Sequence, residues 1–279
     1  MRNRGKSAAL VAAVSVVALM FPGPAQASGA TSSWTLGGVE CDLIPTTQEG
    51  VEVAAPPVGV GPFCGGVRPG GAVFSSAGQC SFNFMWKDPS GNRYMGTAGH
   101  CIVAEGQERT WSFGSGPVAE DAAGVRLGEF VYAVLRDPKD FALIRLDPAV
   151  VATPQMCHFG GPTGQNDDLT QGAGGTVVLH HYGQGLGVGR TVPGRTAVAT
   201  YMSSADYVYA DGLVVFGDSG SGVISSDGRA VGVIVTTGLH IGNAFWDKGT
   251  MGITRLKPQV QAAQSALGAT LTLQIANLL

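Results

Sequence analysis

Short runs of β-branched and aromatic residues, separated by Gly, Pro, Asn and Asp, alternate along most of this 279-residue sequence. Such runs predict an all-β chain of many short strands. One group of strands is predicted within residues 80–146 and a second within residues 176–253. Helical periodicity is convincing only at residues 257–267, where Pro258 is tolerated in the first turn and Gly268 ends the helix. A chain of this length can bury its core as one all-β domain or as two closely packed barrels.

Residues 1–27 predict a secretory signal peptide. Three basic residues precede an apolar run from Ala8 to Phe21, and Ala25-Gln26-Ala27 fits a small-residue cleavage site. The formal net charge of the whole chain is −3, and loss of those three basic residues makes it about −6. No basic patch for nucleic acid is implied, and no second apolar segment approaches the length of a membrane span. The sequence therefore predicts a secreted, extracellular protein that binds neither nucleic acid nor membrane.

Residues 28–77 are rich in Gly, Pro and Ser and have no strong periodicity. We interpret them as an N-terminal arm or a short propeptide that precedes a domain at residues 78–279. The apolar residues 270–279 follow the predicted helix, and nothing in the sequence assigns them a role.

A serine framed by glycines is the strongest chemical signal in the chain. It lies in Gly217-Asp218-Ser219-Gly220-Ser221-Gly222, where the glycines allow a tight turn and bring main-chain N–H groups close to a bound carbonyl. The same pattern also fits an ordinary turn. Two upstream features favour the chemical interpretation: His100, in Gly96-Thr97-Ala98-Gly99-His100-Cys101, and Asp140, which opens the apolar run that ends at Leu146.

These residue types suit nucleophilic catalysis. A serine hydroxyl is a weak nucleophile near neutral pH and needs a base, and histidine is suitable because its pKa lies in that range. A carboxylate beyond the ring fixes the tautomer of the imidazole. We therefore predict Ser219 as nucleophile, His100 as general base and then acid, Asp140 as orienting carboxylate, and the N–H groups of Gly217 and Ser219 as the oxyanion hole. Asp137 and Asp147 compete for the carboxylate role, but only Asp140 begins a predicted strand.

The three blocks, in the order His, Asp, Ser, resemble those of the chymotrypsin-like (trypsin-fold) serine proteases, and in particular their secreted bacterial branch. The resemblance spans about residues 80–267. It implies two packed six-stranded antiparallel β-barrels, near residues 78–148 and 165–256, followed by the C-terminal helix. It also implies a monomeric endopeptidase that hydrolyses protein or peptide substrates through an acyl-enzyme, without metal or organic cofactor.

Several pairings remain open in the sequence. The resemblance implies a disulfide between Cys80 and Cys101, which flank the His100 turn. Of the other three cysteines, Cys41 and Cys64 form the local pair, and a bridge from either to Cys157 is the alternative.

The Ile-Val-Gly-Gly type of start, whose freed amino group pairs with the aspartate beside the nucleophile in animal trypsins, is absent, so the partner of Asp218 is not identified.

Substrate preference is also inferred from the resemblance. The floor of the pocket falls on Leu213, and its walls on Thr236, Thr237, Gly238 and Gly252. An apolar floor with glycine walls predicts a preference for apolar or aromatic side chains. The nearest acid is Asp211, and a shift of two positions would instead favour Arg or Lys. Thr236 is also predicted to support Asp140 with its hydroxyl.

Three other interpretations compete with a protease. The same fold could be an inactive binding protein, the triad of Ser219, His100 and Asp140 could act on non-peptide esters, or the Gly-rich arm could serve a structural role.

The pair His180-His181 suggests a metal site, but adjacent residues on a strand point to opposite faces. We therefore predict one inward and one outward histidine.

Overall fold

The structure is a computed structural model that describes residues 66–167, 177–185, 194–199, 204–237 and 251–278, together with the backbone of 33–36 and 39–42. The predicted signal peptide and most of the predicted arm lie outside these residues. Two short strands near the N-terminus, β1 (Ser33–Leu36) and β2 (Val39–Asp42), pair as an antiparallel hairpin. Within the described residues, no helix has the length and apolar character needed to cross a membrane.

The first half of the fold is a strongly curled antiparallel sheet. Its strands are β3 (Ala72–Ser75), β4 (Gly78–Ser81), β5 (Met85–Lys87), β6 (Arg93–Thr97), β7 (Gln107–Thr110), β8 (Val118–Glu120), β9 (Arg126–Arg136) and β10 (Lys139–Leu146). They follow the order β5-β6-β10-β9-β8-β3-β4, with β7 also paired to β9. Because β3 belongs to this sheet, the first sheet begins before residue 78 and includes residues that the sequence assigned to the arm.

The second half is a closed barrel. Its strands are β11 (Gly164–Gln165), β12 (Val178–Tyr182), β13 (Gly194–Ala199), β14 (Tyr207–Asp211), β15 (Gly222–Ser225), β16 (Arg229–Thr237) and β17 (Met251–Arg255). The order β16-β15-β12-β13-β14-β17 closes because β17 also pairs with β16, and β11 adds to β16 in parallel. The predicted two-barrel, all-β fold is confirmed, although the first sheet curls without the closing pair seen in the second.

Burial explains why the two sheets form one body. One apolar cluster fills the first sheet and another fills the second barrel. A third cluster joins them: Phe84 and Phe141 from the first sheet are buried together with Ile224 and Val233 from the second. Removing large apolar side chains from water is the main favourable contribution to folding, so this shared cluster holds the two halves together.

The C-terminal helix, α1 (Leu256–Leu267), agrees with the prediction. Leu256, Val260 and Ala263 recur at helical spacing, and they are buried in the cluster that the two sheets share. Gly268 ends the helix in the left-handed conformation, with φ of 62°. This position favours glycine because other side chains are strained there.

The apolar tail, residues 270–279, was assigned no role from the sequence and contains an additional strand. Strand β18 (Thr272–Leu273) pairs with β5 at the edge of the first sheet. Beyond it, the N–H of Ala276 donates to Pro162 O at 2.9 Å, and Asn277 O accepts from Gly161 N at 2.7 Å. The tail therefore connects the edge of the first sheet to the loop that leads into the second barrel.

Deletion of residues 272–278 should lower the thermal unfolding midpoint. The tail contributes backbone hydrogen bonds to Met85, Pro162 and Gly161, each worth a net stabilisation of about 0.5–1.5 kcal/mol. Thermal unfolding followed by circular dichroism measures the change. Ile275→Ser is the control, because that side chain is 62% exposed and should leave the midpoint unchanged. A deletion variant as stable as the full chain would contradict a structural role for β18.

Candidate active site

His100 and Asp140 are paired. His100 lies in a 3₁₀ turn, Gly99–Cys101, that follows β6, and Asp140 is the second residue of β10. His100 Nδ1 lies 2.7 Å from Asp140 Oδ2, while the backbone N–H of His100 donates to Asp140 Oδ1 at 2.9 Å. An ionised carboxylate accepts hydrogen bonds, so Nδ1 carries the proton and Nε2 is the basic nitrogen.

The competing carboxylates are engaged elsewhere. Asp137 accepts a hydrogen bond from Tyr207 Oη, and Asp147 forms an ion pair with Arg126 at 2.8 Å. Only Asp140, of the three acids considered, is bonded to the imidazole of His100. Thr236 is exposed and makes no hydrogen bond to Asp140 among the described residues, so the predicted support of Asp140 by this hydroxyl is not found.

The predicted disulfide between Cys80 and Cys101 is present and joins β4 to the turn that carries His100. The two sulfurs and His100 form a compact group, but a disulfide leaves no thiolate to bind a metal ion. Cys157 is also disulfide-bonded, which agrees with the alternative of a bridge from Cys157 to Cys41 or Cys64. The side chains of those two cysteines lie outside the described residues.

The serine segment, defined as Gly217–Gly220, depends on two glycines in left-handed conformations. The φ angle is 95° at Gly217 and 89° at Gly220, a region that other residues rarely adopt. A side chain on Gly220 would also collide with Thr97, and its Cβ would lie 2.8 Å from the backbone N of Ala98. The segment therefore packs directly against the end of the strand that leads to His100.

The peptide groups of the serine segment alternate in direction. Gly217 O accepts from the hydroxyl of Ser81 at 2.8 Å, and Ser219 O accepts from the Ser81 N–H at 2.8 Å. The N–H groups of Gly217 and Ser219 have no hydrogen-bond partner within the described part of the chain. They are the two donors that the sequence predicted for an oxyanion hole. Ser219 is half-buried, and among the described residues no hydrogen bond joins it to His100, as is common before substrate binds.

Asp218 has a partner that the sequence did not identify. Arg195, in β13, forms a bidentate ion pair with it: Nη2 donates to Asp218 Oδ1 at 2.7 Å and Nη1 to Oδ2. The side chains are 2% and 0% exposed, respectively. Asp218 also accepts from the N–H of Val215 at 2.8 Å and of Gly185 at 3.0 Å, so both carboxylate oxygens are fully engaged. The pair fixes Asp218, and through it the neighbouring Gly217 and Ser219.

His181 lies beside this ion pair. It is opposite Arg195 in the β12–β13 pairing and is 1% exposed. His181 Nε2 lies 3.2 Å from Leu213 O, which also accepts from Arg195 Nη1 at 3.2 Å. Burial, and to a smaller extent the positive charge of Arg195, lowers the pKa of His181 to about 3, so the imidazole is neutral. The half-buried His180 contacts the ring of Phe159, which confirms that the adjacent histidines face opposite ways.

The predicted pocket residues are only partly described. Leu213 is 44% exposed while its carbonyl is held by His181 and Arg195. Thr236 is exposed and contacts buried Gly252, which pairs with it across the β16–β17 ladder. Gly238 and the side chain of Thr237 lie outside the described residues. The substrate pocket at these positions stays a prediction.

The role of the missed Arg195 is visible only in the burial pattern of its strand. In β13 the buried positions alternate, and Arg195 shares the buried face with Ala197 and Ala199. A charged residue at an inward position of an alternating strand requires a buried counter-charge. The sequence itself does not show this alternation, because residues 197–199 are all apolar, so neither the ion pair nor its partner 23 residues away could be predicted from it.

Comparison with solved structures identifies this architecture. A Nocardiopsis protease (NAPase) superposes with a TM-score of 0.51 at 18% sequence identity, covering 75% of this chain and 98% of its own. The fold is that of the chymotrypsin-like serine proteases. Thermobifida fusca protease A (TM-score 0.48, 17% identity, 75% and 99% coverage) and Cellulomonas bogoriensis chymotrypsin (0.49, 18%, 75% and 99%) also match. No protein-family model and no curated protein sequence matches the chain.

Arg195→Met should destabilise this chymotrypsin-like fold strongly. The substitution leaves the carboxylate of Asp218 buried without its counter-charge, which costs about 3–5 kcal/mol of unfolding free energy. Urea unfolding followed by tryptophan fluorescence measures the loss. Arg229→Met is the matched control, because its ion pair with Asp227 is 3.5 Å long and both side chains are more than half exposed. Equal stability of the two variants would contradict the role assigned to Arg195.

His181 should make the protein less stable in acid. Its pKa is about 3 in the folded protein, against 6.5 for the free side chain, so the unfolded chain binds the proton first. The free energy of unfolding is therefore unaffected by protonation of this histidine above about pH 6.5, and it decreases as the pH falls from there towards 3. Urea unfolding at several pH values should show a smaller acid loss for His181→Gln, which keeps a donor but does not titrate. His180→Gln is the comparison on the outer face: burial also lowers the pKa of His180, but this side chain is only half-buried, so its substitution should change the acid loss less. An unchanged pH dependence in His181→Gln would refute the assignment.

Proposed function

We propose that the protein is an exported serine endopeptidase that hydrolyses peptide bonds through Ser219, His100 and Asp140. The observation that carries the proposal is the pairing of His100 with Asp140 beside a serine segment with two unpartnered N–H groups. A base, a carboxylate that orients it, a serine and two unpartnered N–H donors make up the set required for acyl transfer.

Acylation would begin with attack of Ser219 Oγ on the peptide carbonyl while His100 Nε2 takes the hydroxyl proton. The new C–O bond places a negative charge on the carbonyl oxygen, and the N–H groups of Gly217 and Ser219 stabilise it. Asp140 stabilises the positive imidazolium through its contact with Nδ1. Collapse of the intermediate breaks the C–N bond, and His100 gives the proton to the leaving amine.

Deacylation would repeat these steps with water. His100 takes a proton from the water, whose oxygen attacks the ester carbon and forms a second oxyanion in the same site. Breakage of the bond to Ser219 Oγ releases the acid product and returns the proton from His100 to the serine. No electron transfer or external base is required, so the residues named above suffice for the whole cycle.

The proposed substrates have an apolar or aromatic side chain before the scissile bond. Leu213 presents an apolar side chain, and the neighbouring Phe216 is 68% exposed. Exposed apolar side chains beside a site of this kind favour apolar ligands. Asp211 is exposed, and it is the group that would favour basic side chains if it lined the pocket instead. The predicted signal peptide is the basis for proposing export.

A fluorophosphonate probe tests the nucleophile. The secreted protein should be labelled at one serine, and Ser219→Ala should abolish the labelling because only an activated hydroxyl reacts. Ser221→Ala is the matched control: its hydroxyl is fully buried and lies two positions away. Labelling that persists in Ser219→Ala would refute the proposed nucleophile.

Paired substrates test the reaction. The protein should cleave peptide amides with a large apolar residue before the scissile bond faster than those with Arg, and it should cleave the matching esters as well. Cleavage of esters without amides would favour an esterase. Absence of both labelling and cleavage, before and after limited proteolysis near residues 28–77, would favour an inactive binding protein.

A further inference from the structure

Ser81 joins the two halves of the site through four hydrogen bonds. It is the last residue of β4, in the first sheet, and is completely buried. Its N–H donates to Ser219 O and its hydroxyl to Gly217 O, both at 2.8 Å. The hydroxyl accepts from the N–H of Gln184 at 3.3 Å, and the carbonyl accepts from the hydroxyl of Thr97 at 2.9 Å.

The bonds of Ser81 fix alternate peptide planes of the serine segment. In the plane between Gly217 and Asp218, Ser81 holds the oxygen, and the N–H donates to Val215 O at 3.0 Å. In the plane between Ser219 and Gly220, Ser81 again holds the oxygen, and the N–H donates to Ile234 O at 2.8 Å. Both planes are therefore held at both ends.

The plane between these two carries the N–H of Ser219. Its oxygen, on Asp218, accepts from the N–H of Ser221 at 2.9 Å, so the N–H of Ser219 points the opposite way. Because the flanking planes are fixed and the peptide group is rigid, this N–H has little freedom to turn. Donors aimed in advance at a developing charge stabilise it without reorganisation.

The same residue also fixes the position of the base. Thr97, which donates to Ser81 O, ends the strand that leads into the His100 turn, and Cys80, next to Ser81, is disulfide-bonded to Cys101. One short stretch of β4 therefore contacts both the segment that carries Ser219 and the turn that carries His100. Small errors in the relative position of such groups reduce rates strongly.

We propose that Ser81 is a positioning residue, whose hydroxyl aligns the serine segment so that its free N–H groups face the developing oxyanion. This inference rests on the proposed function. It predicts that the hydroxyl acts on the transition state, through the serine segment, and has little effect on substrate binding.

Ser81→Ala should lower kcat about 10-fold, less than the loss of an oxyanion donor itself, and change KM less than about 2-fold. Affinity for a peptide boronic acid, which presents an oxyanion, should fall by a similar factor, while affinity for the product peptide is retained. Ser81→Thr, which keeps the hydroxyl, should retain the wild-type kcat. Ser225→Ala is the matched control: that buried hydroxyl bonds to Asp227 and to Arg229 O, away from the serine segment.

The two proposals fail in different ways. If wild-type protein is neither labelled by the fluorophosphonate nor active on peptides, the proposed function fails, and the role of Ser81 fails with it. If the wild-type protein is active but Ser81→Ala keeps its kcat and boronic-acid affinity, only the inference about Ser81 fails. An equal fall in kcat for Ser81→Ala and Ser225→Ala would also overturn it, because a general loss of stability would then explain both.

Discussion

The candidate site depends on one buried ion pair, between Arg195 and Asp218. Both charges are removed from water, and they are tolerated only because the guanidinium binds the carboxylate in a bidentate manner and each carboxylate oxygen also accepts a backbone N–H. The pair links strand β13 to the residue between Gly217 and Ser219. The counter-charge of Asp218 is Arg195, which belongs to the barrel itself. The arrangement of the serine segment therefore does not depend on a newly freed N-terminal amino group.

The site is composite, and each sheet supplies what the other lacks. The first sheet positions His100 and Asp140, while the second barrel supplies the serine segment and the ion pair beneath it. The apolar cluster shared by Phe84, Phe141 and Ile224 brings these groups together, and the hydrogen bonds of Ser81 fix their register. Apolar burial is not directional, so it sets the distance between the sheets, whereas hydrogen bonds set the orientation.

What the sequence could predict was local. His100, Asp140 and Ser219 each sit in a short pattern whose chemistry can be interpreted by itself, and Gly268 marks the end of α1 for a local backbone reason. Arg195, Ser81 and β18 were not foreseen because their roles come from partners far away in the chain. Ser81 contacts Gly217 across 136 residues, and no periodicity encodes such a contact. His181 is an intermediate case: strand alternation predicted that one of the two adjacent histidines points inward, but not which one, nor that it lies beside Arg195.

The pairing of β18 with β5 also bears on how the protein is made. Strand β5 precedes β18 by most of the length of the fold, so this edge of the first sheet stays incomplete until β18 has been synthesised. Closing so long a loop is entropically slow compared with forming hairpins from neighbouring strands. Until β18 is available, strand β5 therefore has one unpaired edge, and such an edge can pair with another chain.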